Sequence, residues 1–559
     1  MRRGLVSSVG LAALLIGAMI LPAAAVESGS SWSQPRPVPG SDGLWWPASA
    51  TAADGTDIVL WNEPGPSGLQ NQLRTKVRLA GRRAWIDVPA RLHGKWLSFG
   101  DLIAVPGGDF WVLYNVGLGR TLVARLDRTH LRWTRPVEVF QDNPGYYYRA
   151  FRLGGGRTGE IAVLADATPI VRSHDGFDTR VAVATQEPGK PWTSQFLNPE
   201  GTAAGFSDMS INRFGDIAIS FVQGLEDPQH QTVRAATRPG TQDGVWRVDI
   251  LSSSPERVGV ARTSMAADGT AYVVWTAAPP WQPDYTMVQV SSLRTRDLGA
   301  AWVSRSVVTS TTIDPDAFVV AGRGGEATAF WRQVDSMTSA PLYMQYFDNG
   351  ANPGNDPVQL TRSDEFGIFM DATQGPDERI LVLTRRENLN HTELGLEVST
   401  IKNGRPGHPT PLTSEADFER FYASGSVAVD AANRGQVVYA YDDDQGQRFI
   451  WQGQVSRPSV VNRRTGELIT KSRVKGRMRL GARLLCQSGF WVEAYSVAYQ
   501  WNRDGTPINA ATRHAYRVRP GDAGRNLTCR VQAANYVGTK TVTSRPRSVR
   551  SPSARVAFD

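Results

Sequence analysis

The sequence predicts an all-β protein, and three observations predict it. Gly, Thr, Val and aromatic residues are plentiful among the 559 residues, with 54 Gly and 17 Trp, and helix formers do not dominate. A strand–turn–strand pattern with a fixed aromatic recurs at intervals of 51 to 57 residues, the period of a four-stranded β-propeller blade. The charge then changes sign near residue 455, which marks off a second, smaller domain.

Residues 1–25 read as a secretory signal. Arg2 and Arg3 form the charged start, Leu5 to Leu21 the apolar stretch, and Ala23-Ala24-Ala25 a small-residue cleavage site. The apolar run is short and holds Ser7 and Ser8, which argues against an anchor, and no other stretch is long enough to span a bilayer. The mature chain is therefore expected to be exported and soluble, without a transmembrane segment. Of the 61 basic residues 54 are Arg, a bias that reads as a GC-rich bacterial genome.

Residues 26–454 are expected to form the propeller. An apolar strand, a turn and a second strand ending in an aromatic six residues on appear as Gly55 to Trp61, Gly108 to Tyr114, Gly215 to Phe221 and Gly269 to Trp275. Gly325 to Trp331 and Gly435 to Tyr441 repeat the pattern, and Gly159 to Ala165 and Glu378 to Thr384 keep the spacing with weaker residues. A second marker agrees: Trp32, Trp85, Trp192, Trp246 and Trp302 each lie 23 residues before the next turn, and Trp133 lies 26 before its own. These tryptophans suit the outer strand of a blade. The last repeat has room for only three strands, so the N-terminal segment near Trp32 is expected to complete it and remove the exposed sheet edge. Eight blades fill the span; seven with an irregular insertion is the alternative.

Thr295-Arg296-Asp297-Leu298-Gly299-Ala300-Ala301-Trp302 fits the pattern Ser/Thr-x-Asp-x-Gly-x-x-Trp, and Thr185-Gln186-Glu187-Pro188-Gly189-Lys190-Pro191-Trp192 fits it with Glu for Asp. Both turns resemble the Asp box of the sialidase-type propellers. The resemblance implies a propeller and a structural turn remote from the catalytic face, and carries no activity. A catalytic sialidase is not expected, because the Phe/Tyr-Arg-Ile-Pro motif of that family is absent and its rings have six blades.

Residues 455–559 carry 20 Lys and Arg against 5 Asp and Glu, while residues 26–454 carry 39 against 48. Cys486, Trp501 and Cys529 follow the Cys…Trp…Cys order of an immunoglobulin-like β-sandwich. The stretches Tyr499–Gly505 and Asp522–Val531 look like bacterial surface immunoglobulin-like modules. Two Cys in an exported chain read as one disulfide, Cys486–Cys529, which should add about 3–4 kcal/mol by closing a loop of about 40 residues. Lys471, Arg473, Lys475, Arg477 and Arg479 fall at every second position, as if projecting from one face of a strand toward an anionic envelope polymer. For an exported chain such a polymer is a better partner than nucleic acid.

Catalytic motifs are lacking. The seven His are scattered, without His-Glu-x-x-His or paired-Cys spacing, and there is neither a Gly-x-Ser-x-Gly elbow nor a phosphate-cradling loop. No cofactor is called for. Asp442-Asp443-Asp444 and the run from Asp348 to Asp356 offer oxygens of the kind calcium takes, but match no defined loop, and a solvated acidic turn is the plainer reading. The connections expected on one face of the ring hold Trp45, Trp46, Trp96, Tyr147, Trp281, Tyr285 and Tyr422 beside Asp314, Asp316 and Asp443. Flat aromatic faces beside carboxylates suit a glycan, with stacking for C–H faces and acceptors for hydroxyls, or a surface protein. The sequence thus leans to a non-catalytic binding protein at the cell surface, retained by its basic domain. The alternatives are a glycan-degrading hydrolase with a carboxylate pair in the ring mouth, and a scaffold whose acidic and basic parts dock on each other.

Overall fold

The computed structural model describes residues 36–550 apart from 171–178, 279–285, 413–421, 455–472, 488–495 and shorter segments of at most five residues. Among the described residues there are strands and one 3₁₀ turn but no α-helix. Eight antiparallel sheets of four or five strands precede residue 455. Each follows chain order as a meander, except that the eighth takes one strand from the N-terminal side. The first strands of the sheets are Trp45–Thr51, Ser98–Ala104, Tyr146–Gly155, Ala204–Ile211, Arg262–Met265, Ile313–Ala321, Phe366–Gln374 and Tyr422–Val429. Consecutive first strands pack against one another, and that of the eighth sheet meets that of the first. This is a β-propeller.

The ring closes on Arg36–Pro37, where Arg36 pairs with Gln452 and Pro37 with Trp451. Val38 is buried among Val59, Trp61 and Val438, so the closing segment also knits the first sheet to the eighth. Trp32 lies outside the described residues.

The turn glycines Gly55, Gly108, Gly159, Gly215, Gly269 and Gly325 all take φ between 82° and 98°, where a Cβ is strained. Glu378 holds the same place at φ 68°. Gly435 does not: it pairs with Val429 inside the eighth sheet, as Asp57 pairs with Thr51 in the first, and residues 431–433 lie outside the described residues. The true eighth marker is accordingly Tyr439 rather than Tyr441. All eight markers, Trp61, Tyr114, Ala165, Phe221, Trp275, Trp331, Thr384 and Tyr439, are buried. Trp85, Trp192, Trp246 and Trp302 each directly precede an outermost strand, and Trp133 lies in one.

The first Asp-box-like turn and the two ends of the second make structural contacts; residues 296–299 of the second lie outside the described residues. Glu187 pairs with Lys190 within its turn and with Arg238 of the next sheet at 3.6 Å. The Thr295 hydroxyl donates to the Gly269 carbonyl at 2.8 Å, and the Trp302 indole N–H to Asp249 of the preceding sheet at 3.1 Å.

Beyond residue 472 lie two further sheets, one of three strands (Arg473–Lys475, Arg483–Gln487, Ala515–Arg517) and one of five, including Ser496–Arg503 and Asn526–Asn535. The Cys486–Cys529 disulfide joins them, with Cα atoms 6.0 Å apart. Trp501 is fully buried among Leu484, Tyr516, Leu527 and both cysteines. Buried Asp522 accepts from the Tyr516 hydroxyl, the Arg519 backbone N–H and the Arg503 guanidinium, which ties the two sheets' ends together.

Candidate functional site

The axis of the ring is built from one residue per sheet. One residue stands thirteen positions before each buried marker, paired with the residue that precedes the marker: Ala48, Asp101, Arg152, Asp208, Arg262, Phe318, Asp371 and Ser426; in sheets one to four and seven a register break directly precedes it. Sheets two to five therefore alternate Asp, Arg, Asp, Arg. Asp101 Oδ2 accepts the Leu153 N–H of the third sheet at 2.9 Å. Asp208 accepts the Arg152 Nε–H at 2.6 Å on one oxygen and the Thr263 N–H of the fifth sheet at 3.1 Å on the other. Asp371 accepts Val427 of the eighth sheet at 2.8 Å and Ala372 at 2.9 Å. Arg262 lies over the Phe318 ring at 5.4 Å.

These carboxylates act as clamps between neighbouring sheets. Burial pushes Asp371 up to about 6 despite its two backbone donors and Arg152, and raises Asp101 for the same reason. Asp208, Asp101 and Asp371 all act on Arg152 and hold its guanidinium firmly charged, against the opposing effect of its burial. None of these residues was expected from the sequence. Their signal was present as a fixed offset from the markers, but the pairing that turns them inward was not.

Toward the starts of the first strands the ring opens into a mouth, and three exposed aromatics rise along it from successive sheets. Trp96, just before the second sheet's first strand, is 65% exposed at φ 50°, and Phe206, in the fourth sheet's register break, is 54% exposed at φ 48°. Bulky side chains rarely take that left-handed region. Tyr147 of the third sheet, 37% exposed, lies between them. The Gly117 N–H bonds the Lys95 carbonyl at 2.9 Å and the Gly119 carbonyl accepts from Tyr148 at 3.4 Å, so one hairpin joins Trp96 to Tyr147. On the other side Arg149 pairs with Asp166 in register, and buried Ser207, next to Phe206, donates its hydroxyl to Asp166 at 3.2 Å. Burial lifts the Asp166 carboxyl to about 6, against the Ser207 hydrogen bond and the Arg149 charge.

Of the residues expected on this face, Trp96 and Tyr147 are joined in the mouth. Trp45, Trp46, Asp314, Asp316 and Tyr422, like Tyr147, lie at the starts of first strands rather than in connecting loops, because each of these strands begins earlier than the apolar pattern suggested. Trp281, Tyr285 and Asp443 lie outside the described residues. Phe206 and Ser207 lie in a register break that composition does not reveal, and Arg149 and Asp166 meet only through strand pairing, so none of the four was legible in the sequence. Asn355, in the run considered for calcium, is spent on Tyr346 N–H and the Gly404 carbonyl, and no cluster of metal-ligating groups occurs among the described residues.

In the basic part, Arg473 and Lys475 share the exposed face of one strand, but Arg477 and Arg479 lie past its end. Gly476 turns the chain at φ 123°, where a Cβ would meet the Arg483 carbonyl at 2.8 Å. The continuous alternation over five residues therefore does not hold. Lys471 lies outside the described residues.

A separate cleft of about 580 Å³ lies between the second and third sheets, on the side of the strand-one-to-two turns. Trp111, Trp192, Val137 and the Asp109–Arg125 ion pair line it.

No family model matches the sequence, and no curated protein does. Among solved structures, the Hadza microbial sialidase Hz136 is similar at 10% identity and TM-score 0.34, over 61% of this chain and 73% of that one. A leech intramolecular trans-sialidase is similar at 9% and 0.33, over 73% and 95%. A protein of unknown function from Dyadobacter fermentans follows at 15% and 0.34, over 56% and 96%. These are likenesses of β architecture, and no site is carried over from them. No helix among the described residues is long and apolar enough to cross a membrane.

Proposed function

We propose that this is an exported cell-surface protein in which an eight-bladed propeller, residues 26–454, binds a glycan without cleaving it. An immunoglobulin-like basic domain, residues 455–559, retains it on the envelope. The observation that carries the glycan reading is the pair Trp96 and Phe206, two large aromatics held at positive φ with exposed rings, flanking Tyr147 on the same face. Backbone strain of this kind costs about 1–3 kcal/mol per residue and persists where a site uses it. The rings offer stacking faces for sugar C–H groups, and exposed Arg149 and half-buried Asp166, the latter held by the Ser207 hydroxyl, offer hydrogen bonds to sugar hydroxyls at the same mouth.

The test is retention of the full chain on insoluble polysaccharides, with the supernatant assayed for released sugar. Binding without release is expected, and it should be lost in Trp96→Gly and Phe206→Gly, whose melting temperatures should not fall because glycine relieves the strain. Retention unchanged in both variants would reject the mouth as the site.

One observation favours a hydrolase as the second reading. Asp166, lifted to about 6 beside Arg149, could hold a proton for transfer near neutral pH. Released sugar that disappears in Asp166→Asn would establish that reading instead.

A further inference from the structure

The three-stranded sheet of the C-terminal part buries one face and leaves the other to water. Val474, Leu484, Cys486 and Tyr516 point into the core, so Arg473, Lys475, Arg483 and Arg517 stand together on the outer face. Arg483 and Arg517 are directly opposite each other across two paired strands. Like charges at such a position repel with Cβ atoms only about 5 Å apart, and local stability alone would not favour them there. The two carboxylates described in this part are engaged elsewhere, Asp504 with Arg525 and Asp522 with Arg503. No acidic residue answers the cations of this face among the described residues.

We infer that the exposed face of this sheet, centred on the opposed pair Arg483 and Arg517, binds a linear polyol-phosphate polymer, a chain of phosphodiesters without bases. The inference deepens the envelope-retention reading, on which it rests. Two guanidiniums this close converge on one anionic group. Each fork can take one of the two free oxygens of a phosphodiester, the kind of contact for which the guanidinium is suited. Arg473 and Lys475, one strand away, take the neighbouring charges of the chain. The face carries exposed Leu485 but no described aromatic ring, so it reads the charge repeat and has nothing on which bases of a single-stranded nucleic acid would stack.

The experiment compares the full chain with Arg483→Gln/Arg517→Gln and with Arg530→Gln/Arg545→Gln, which removes equal charge from exposed positions off this sheet. Each is eluted by salt from poly(glycerol phosphate), polygalacturonate and single-stranded DNA. The first variant should lose at least tenfold in retention on poly(glycerol phosphate), with the salt dependence shallower by about two counterions. The second should lose far less. The first variant should also melt no lower than the parent, because an opposed like-charge pair has been removed, and Arg483→Lys/Arg517→Lys should fall between parent and Gln variant. Equal losses in the two Gln variants, or stronger retention on polygalacturonate or DNA, would overturn the inference. Retention on isolated envelope is measured beside these. If the parent binds envelope and the Arg483/Arg517 variant binds as well, the phosphodiester inference fails while the retention reading stands; a parent that binds no envelope removes both.

Discussion

Asp371 and Arg152 show how single side chains hold a ring together. Asp371 gives one oxygen to its own strand and one to the next sheet, yet burial still outweighs these donors and lifts its carboxyl to about 6. Its folded value lies above the ordinary 3.8, so the folded state takes up the proton first. The stability it contributes is therefore full below about pH 4 and lost as the pH rises through about 6. Asp371→Asn keeps an oxygen for one backbone donor and cannot ionise. Melting curves should place the variant nearer to the parent, or above it, at about pH 7, and clearly below it at about pH 4. A difference independent of pH would mean that the carboxyl titrates normally. The identity of the axial residues was in the sequence, thirteen positions before each marker. Their inward orientation was not, because a register break is a backbone event without a residue signature: Gly100, Phe151 and Met370 occupy three of the breaks and share no chemistry.

The repeated element is the inner hairpin. Its turn needs a residue at positive φ, and the sequence met the need with glycine six times and with Glu378 once among the described turns. Glu378→Gly should raise stability by about 1 kcal/mol, because the left-handed backbone carries no penalty without a Cβ. Chemical denaturation reads this directly, and a lower midpoint would show that the Glu378 side chain contributes more than its strain costs. The hairpins were legible because the glycine, the strand length and the buried aromatic all recur at fixed offsets. Gly435 shows the limit of that legibility: a glycine near the right place drew the pattern two residues off, and only the pairing with Val429 corrects it. The basic strand shows another limit, since alternation continued in the sequence past Gly476, where the backbone turns away.

At the scale of the molecule, the ring depends on Arg36–Pro37 for its last strand and on Val38 for the seam with the first sheet. Removing residues 26–40 should lower the melting temperature and promote association, because the strand Arg448–Gln454 would become an open edge. An unchanged, monomeric truncation would show that the seam holds through the first strands alone. The order of sheets and the charge division between the two parts were readable from period and composition. The mouth was readable only in part, because its chemistry comes from residues of three neighbouring sheets that meet only when their first strands pack side by side.

That closure has a consequence for the order of events in the chain's life. The strand partners Arg36 and Gln452 stand at opposite ends of the propeller sequence, so the eighth sheet cannot form until nearly all of it is present. Bringing such distant segments together costs about 5 kcal/mol of chain entropy, which the seam must recover in one step. A chain emerging from its N-terminus would therefore hold seven finished sheets and one unpaired segment until the last moment, and the end made first would be the last to be seated.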